Sequence, residues 1–135
     1  MSMPLTPGPI EHIALTVSDL DKSVDWYSTL FGEKPLFVGV MREGTDHEHR
    51  AAVWATPNLG LHCFDERTDG AFSAQRPGLD HLAFSCSGVD ELHGWASRLD
   101  EMGADRGEVV QESYGSALGF VDPDGIALEF YASSL

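Results

Sequence analysis

The sequence has little positive charge, few cysteines and no long hydrophobic run. Only 8 of its 135 residues are Lys or Arg, against 22 Asp or Glu, so the formal net charge is −14. Nucleic acids and anionic membranes are bound through clustered basic residues, so this balance argues against both as partners. The two cysteines, Cys63 and Cys86, each lie within an apolar run, which favours free thiols over a disulfide.

No segment approaches the roughly 20 apolar residues that span a bilayer. The first nine residues lack the basic segment and apolar core of a signal peptide. We therefore expect a cytoplasmic protein. Its composition, 42% hydrophobic and 22% charged, is typical of a globular fold, and its length fits one compact domain.

The chain contains an internal repeat. Ile10–Leu30 aligns with Leu79–Leu99 at an offset of 69 residues, and seven of the 21 aligned positions are identical, His12 with His81 among them. A second stretch, residues 56–64, aligns with residues 123–131 at an offset of 67 and pairs His62 with Glu129. The sequence therefore predicts two copies of one structural unit.

Each copy has the pattern of a strand, a helix and three further strands. Alternating apolar residues predict a strand over 10–17, and apolar residues at helical spacing follow it up to Gly32. The later strands are predicted at 35–40, 50–55, 59–64, 108–111, 117–121 and 126–131. The predicted fold is α+β with two βαβββ modules, at 10–65 and 79–135, after an irregular lead-in (1–9) and joined by a linker (66–78).

Four residues with metal-binding side chains are predicted inside otherwise apolar strands: His12, His62, His81 and Glu129. A charged Glu within an apolar strand needs a partner, and a divalent cation held by imidazoles and a carboxylate supplies one. The alternative is that the histidines are hydrogen-bonded core residues and that Glu129 lies on an edge strand. Their repeated placement favours a metal site.

At these residues the chain resembles the vicinal oxygen chelate superfamily, which includes glyoxalase I, extradiol dioxygenases, fosfomycin-resistance enzymes and bleomycin-resistance proteins. The resemblance runs from Ile10 to Tyr131. It is most specific at residues 12–20 (HIALTVSDL), at 79–84 (LDHLAF) and at 120–130 (FVDPDGIALEF).

The resemblance implies two βαβββ modules that curl into a cup around one divalent metal, Fe, Mn, Ni, Co or Zn. His12, His81 and Glu129 match the family's ligand positions, and His62 matches a fourth position that is either a ligand or a base. The implied protein is a homodimeric enzyme that chelates a small oxygenated substrate through two adjacent oxygens. Its reaction is of the isomerase and lyase type or of the dioxygenase type. The alternative is a non-catalytic, dimeric protein that binds a small molecule or an antibiotic, as bleomycin-resistance proteins do.

Some positions differ from the named members. Glyoxalase I has a glutamate where this chain has His62. Fosfomycin-resistance enzymes have a tyrosine where this chain has Gly119, and an arginine nine residues after the last ligand, whereas this sequence stops at Leu135. These differences argue against both activities. Tyr114 is the nearest tyrosine that would serve as a catalytic hydrogen-bond donor.

Other candidate residues have two interpretations each. Trp54 and Phe64 either line a substrate pocket or pack in the core, and Arg50 either binds a substrate anion or is an ordinary surface arginine. Residues 47–49, His-Glu-His, are interpreted as a solvated loop, with a lid over the cup as the functional alternative.

Overall fold

A computed structural model describes residues 3–65 and 70–134 of the chain. These residues form eight strands and two helices. In chain order they are β1 (Ile13–Thr16), α1 (Leu20–Phe31), β2 (Phe37–Met41), β3 (His49–Trp54), β4 (Leu59–Cys63), β5 (Leu82–Ser85), α2 (Val89–Glu101), β6 (Val110–Glu112), β7 (Gly115–Val121) and β8 (Ala127–Ser133). The described residues group into two compact units, one of residues 3–24 and 34–65 and one of residues 25–33 and 70–134.

The first unit contains a four-stranded mixed sheet in the order β1-β4-β3-β2. β1 and β4 are parallel, and the other neighbours are antiparallel. One face of this sheet carries Leu15, Leu61 and Trp54, which are at most 5% exposed. This face therefore forms the core of the unit.

The second unit repeats that arrangement in the order β5-β8-β7-β6, with β5 parallel to β8. Its buried face is rich in aromatic rings. Phe130 stacks on Trp95 of α2 with 4.1 Å between ring centroids and on Phe120 at 5.1 Å. Stacked rings of this kind add about 0.5–1.5 kcal/mol per pair to what burial contributes.

Helix α1 begins at a capping residue and continues into the second unit. The carboxylate of Asp19 accepts a hydrogen bond from the Lys22 amide at 3.1 Å, which satisfies one of the free amides of the first turn. Later in the helix, the Tyr27 hydroxyl donates to Asp122 at 2.7 Å, and Phe31 meets Phe84 edge-on at 5.7 Å. Residues 25–33 therefore belong to the packed core of the second unit.

The predicted fold class, α+β with two βαβββ modules, is confirmed. Strand boundaries differ from the prediction by at most three residues, and His12 and His81 lie just before β1 and β5 instead of inside them. The predicted linker, 66–78, and lead-in, 1–9, fall partly outside the described residues. Neither helix is long and apolar enough to cross a membrane.

The strand registers correct one part of the predicted repeat. Ala83 pairs with Glu129 in the second unit, and Ala14, its equivalent in the first, pairs with Gly60. His62 pairs instead with Thr16. The structural equivalent of Glu129 is therefore Gly60, and His62 lies two residues further along β4.

Candidate metal centre

Two of the predicted ligands lie together in the second unit. His81 comes immediately before β5, and Glu129 is in the middle of β8, which pairs with β5. Nε2 of His81 lies 3.8 Å from Oε1 of Glu129. The Glu129 side chain is 25% exposed, so its carboxylate is partly withdrawn from solvent yet open to a ligand.

The other ring nitrogen of His81 is held by its neighbour in the chain. Nδ1 lies 2.7 Å from Oδ1 of Asp80. This hydrogen bond, followed by the effect of Glu129, raises the pKa of His81 above its ordinary value, against the opposing effect of burial. Histidines that ligate metals commonly donate one ring N–H to a carboxylate in this way, which leaves the other nitrogen for the metal.

His81 and Glu129 open into a pocket of about 440 Å³ on the face of the sheet opposite the aromatic core. Its lining is acidic, because Glu108 and Glu112 of the β6 region join Glu129, and no Lys or Arg is among the described residues that line it. The remaining lining residues are Val110, Tyr114, Gly115, Ala117, Gly119 and Tyr131. An anionic ligand would meet repulsion here unless a cation came with it.

Two tyrosines line this pocket. Tyr114, the predicted hydrogen-bond donor, lies in the turn between β6 and β7 and is 55% exposed. The Tyr131 hydroxyl donates to the Tyr114 carbonyl at 3.3 Å. A side chain at Gly115 would overlap this ring, since its Cβ would lie 2.6 Å from Cζ of Tyr131. The glycine thus makes room for Tyr131, which the sequence analysis did not identify.

The first unit holds the other two predicted ligands. His12 lies just before β1, is exposed, and contacts the Glu11 carboxylate through Nδ1. That carboxylate also accepts a hydrogen bond from Asn58 at 2.9 Å, and its pKa is lowered mainly by the contact with His12. Glu11 and His12 therefore repeat the arrangement of Asp80 and His81.

His62 has a partner that the sequence analysis missed. Its Nδ1 lies 2.6 Å from Nε2 of His49, whose ring stacks on Phe64 with 3.9 Å between centroids. Burial, and then the proximity of His49, Arg42 and His12, lowers the pKa of His62. An imidazole kept neutral in this way is suited to bind a metal or accept a proton. The interpretation of residues 47–49 as a solvated loop was wrong for His49, which begins β3.

The remaining candidates are placed as follows. Trp54 is 1% exposed, on the core face of the first sheet, and Phe64 lies against His49. Arg50 is exposed and forms an ion pair with Asp21 at 3.0 Å. Within residues 3–65 and 70–134, no three His, Cys, Asp or Glu side chains are grouped so as to hold a metal ion. The structure thus shows two pairs of candidate ligands, each within its own unit.

Comparison with known proteins identifies the family. The sequence profile of the Glyoxalase/Bleomycin resistance protein/Dioxygenase superfamily matches residues 9–130. The chain belongs to this superfamily, in agreement with the resemblance of its sequence and with its two βαβββ modules.

Among curated proteins, the chain is 33% identical to metallothiol transferase FosB of Shouchella clausii, over 93% of this chain and 81% of that protein. It is 29% identical to metallothiol transferase FosB of Lysinibacillus sphaericus, over 97% and 86%.

Among solved structures, a glyoxylase/bleomycin resistance protein/dioxygenase domain from Frankia sp. EAN1pec is similar with a TM-score of 0.81 and 32% identity, over 95% of this chain and 93% of that one. The fosfomycin resistance protein FosX from Listeria monocytogenes shares the fold, with a TM-score of 0.69 and 19% identity over 96% and 97% of the two chains.

Proposed function

We propose that the chain is a metal-dependent enzyme in which His81, Glu129 and His12 hold one divalent cation, which is Fe, Mn, Ni, Co or Zn. The observation that carries this proposal is the pair formed by His81 and Glu129. Nε2 of His81 lies 3.8 Å from the Glu129 carboxylate, while Nδ1 is hydrogen-bonded to Asp80. Two donors so placed, with the imidazole oriented by a second carboxylate, suit a divalent cation.

His12 is the proposed third ligand, because the contact of Glu11 with Nδ1 orients it as Asp80 orients His81. His62 is proposed either as a fourth ligand or as the base that accepts a proton from the substrate. His12 and His62 come from a first module. That module belongs either to the chain that supplies His81 and Glu129 or to the second copy in a homodimer.

A bound divalent cation would act as a Lewis acid toward two adjacent oxygens of a substrate. The chain's own residues would hold and surround that substrate. Tyr114 lies at the pocket wall, exposed enough to donate a hydrogen bond to it. Glu108 and Glu112 make the wall acidic, so substrate groups next to them would be neutral or cationic.

The name of the curated relatives supports a reaction class, the transfer of a thiol. We propose this class for the present chain. The isomerase, lyase and dioxygenase reactions predicted from the sequence stay predictions. Glu108 and Glu112 would repel a phosphonate placed beside them, and Gly119 stands where the fosfomycin-resistance enzymes have a tyrosine, so we propose a substrate without a phosphonate group. A thiol that adds to an epoxide forms a C–S bond while a ring C–O bond breaks, and the released oxygen takes up the thiol proton. Consumption of glutathione or cysteine should therefore be faster with a neutral epoxide than with fosfomycin, an epoxide that carries a phosphonate.

Metal binding tests the site directly. Protein purified without chelator should contain about one transition-metal ion per chain, and the stripped protein should bind Mn²⁺ or Zn²⁺ in a calorimetric titration. His12→Ala, His81→Ala and Glu129→Ala should each abolish tight binding. His93→Ala, which removes an exposed histidine of α2, is the matched control and should bind as the wild type does. Equal affinity in all four variants would overturn the site and favour the non-catalytic binding protein.

A further inference from the structure

The contact between His49 and His62 determines which nitrogen of each ring carries a proton. Nδ1 of His49 lies 2.7 Å from the backbone carbonyl oxygen of His47. A carbonyl oxygen only accepts, so Nδ1 of His49 must be the donor in this hydrogen bond. In a neutral imidazole the second nitrogen then carries no proton, and Nε2 of His49 is an acceptor.

The same reasoning applies to His62. Its Nδ1 lies 2.6 Å from Nε2 of His49, and since that atom accepts, Nδ1 of His62 must donate. Nε2 of neutral His62 is then left with a free lone pair. An isolated imidazole can carry its proton on either nitrogen. The position of the proton on His62 is therefore set by the hydrogen bonds that link the His47 carbonyl, His49 and His62.

Packing holds both rings in these positions. His49 lies between the His62 ring, with 4.9 Å between centroids, and the Phe64 ring at 3.9 Å. Nε2 of His62 lies over Gly60, 3.5 Å from where a Cβ would be, and a Cβ there would also lie 3.6 Å from Ala14. Gly60 is the register equivalent of Glu129, so the His62 ring turns back over the position at which the second unit carries its carboxylate.

We propose that His49 is a positioning residue that holds His62 in its Nδ1–H tautomer and leaves Nε2 of His62 free to bind the metal or accept a proton. The use of that nitrogen rests on the proposed function, whereas the tautomer does not. A ligand whose proton is already on the far nitrogen need not lose or move one when it binds.

The tautomer is measured on metal-free protein by long-range ¹H–¹⁵N NMR of the histidine rings at about pH 8, above the ordinary histidine pKa of about 6.5. The signals of His62 are assigned by their loss in His62→Gln. We expect the proton on Nδ1 in the wild type and in His47→Ala, which keeps the backbone carbonyl. His49→Gln should preserve it, because the amide oxygen can accept from Nδ1, and His49→Ala should shift the population toward Nε2–H.

A wild-type His62 with its proton on Nε2, or with an equal mixture, would overturn the proposal whether or not His49→Ala folds. The metal titration adds a second readout. His49→Ala should weaken Mn²⁺ or Zn²⁺ binding by roughly 10–100-fold, the usual effect of losing a group that orients a ligand, and His49→Gln should weaken it less. Unchanged affinity in His49→Ala would overturn the use of His62 Nε2 as a metal ligand. A wild type that binds no metal would instead overturn the proposed function, and the tautomer measurement would still decide the role of His49.

Discussion

Oδ1 of Asp80 and Nδ1 of His81 lie 2.7 Å apart, although the two residues are neighbours in the chain. The same contact joins Glu11 to His12 in the first unit. An acidic residue followed by a histidine therefore occurs in both units, and in both units the two side chains are in contact. In both dipeptides the carboxylate of the acidic residue contacts Nδ1 of the histidine that follows it.

We expect Asp80→Asn to weaken binding of Mn²⁺ or Zn²⁺ by roughly 10–100-fold, because the His81 ring would lose the carboxylate that orients it. Calorimetric titration of the stripped protein measures this. Glu101→Gln, which removes one exposed charge at the end of α2, should bind like the wild type. Equal affinity in Asp80→Asn and Glu101→Gln would show that Asp80 does not orient a ligand.

Tyr27→Phe should destabilise the fold by about 1–3 kcal/mol, the usual cost of leaving a buried acceptor without its donor. The Tyr27 hydroxyl donates to Oδ2 of Asp122, which is 4% exposed. Urea unfolding measures the change. Tyr114→Phe removes the hydroxyl of an exposed tyrosine and should shift the free energy of unfolding by no more than about 0.5 kcal/mol. Two equal shifts would contradict the role given to the buried hydrogen bond.

The pH dependence of stability should differ between two aspartates. Burial raises the pKa of Asp122 in the folded state, against the hydrogen bonds that it accepts from Tyr27, Ile126 and Asp124. The folded state then takes up the proton at a higher pH than the unfolded state does. Relative to Asp122→Asn, the wild type should therefore gain stability as pH falls through the folded pKa toward the unfolded one.

Asp100 should show the opposite sign. Its hydrogen bond with Arg106, at 2.8 Å, lowers its pKa, so its contribution is present at neutral pH and is lost as pH falls through the folded pKa. Urea unfolding of wild type, Asp122→Asn and Asp100→Asn between about pH 7 and pH 3 compares the two. Parallel curves for both variants would refute the assignment.

Two glycines of the second unit should respond in opposite ways to alanine. Gly94 lies within α2 with nothing within 4 Å of an added Cβ, so Gly94→Ala should stabilise the protein by about 0.5–1 kcal/mol. At Gly115 the Cβ would lie 2.6 Å from Cζ of Tyr131 and 2.8 Å from the Ala132 carbonyl oxygen, so Gly115→Ala should cost about 1–3 kcal/mol. Thermal unfolding measures both, and a melting temperature unchanged by Gly115→Ala would contradict the predicted overlap with Tyr131 and the Ala132 carbonyl oxygen.

The sequence predicts the order of strands and helices well, because each element has a clear period and glycines follow both helices. The sequence did not predict the register of β4 against β1. A slip of two residues keeps every side chain on the same face of the sheet, so the apolar pattern fits offsets of 67 and 69 equally well. The choice of Gly60 over His62 as the equivalent of Glu129 depends on the hydrogen-bonded pairing, which only the folded chain shows.

His49 was missed for a related reason. Its neighbours in the chain are polar, and composition alone made the segment 47–49 resemble a solvated loop. Its role comes from β3 lying antiparallel to β4, with Ala51 opposite His62. That pairing brings two histidines 13 positions apart into hydrogen-bond contact. No local pattern around residue 49 encodes this contact.

Helix α1 spans both compact units, and this limits where the chain can be divided into fragments. The repeat suggests two interchangeable halves, yet residues 25–33 lie in the core of the second unit. A fragment that starts at residue 70 would leave the Asp122 carboxylate without the Tyr27 hydroxyl and would uncover Phe84 where Phe31 packs. The unit of duplication and the unit of folding are therefore different pieces of this chain, and the second half depends on a segment encoded in the first.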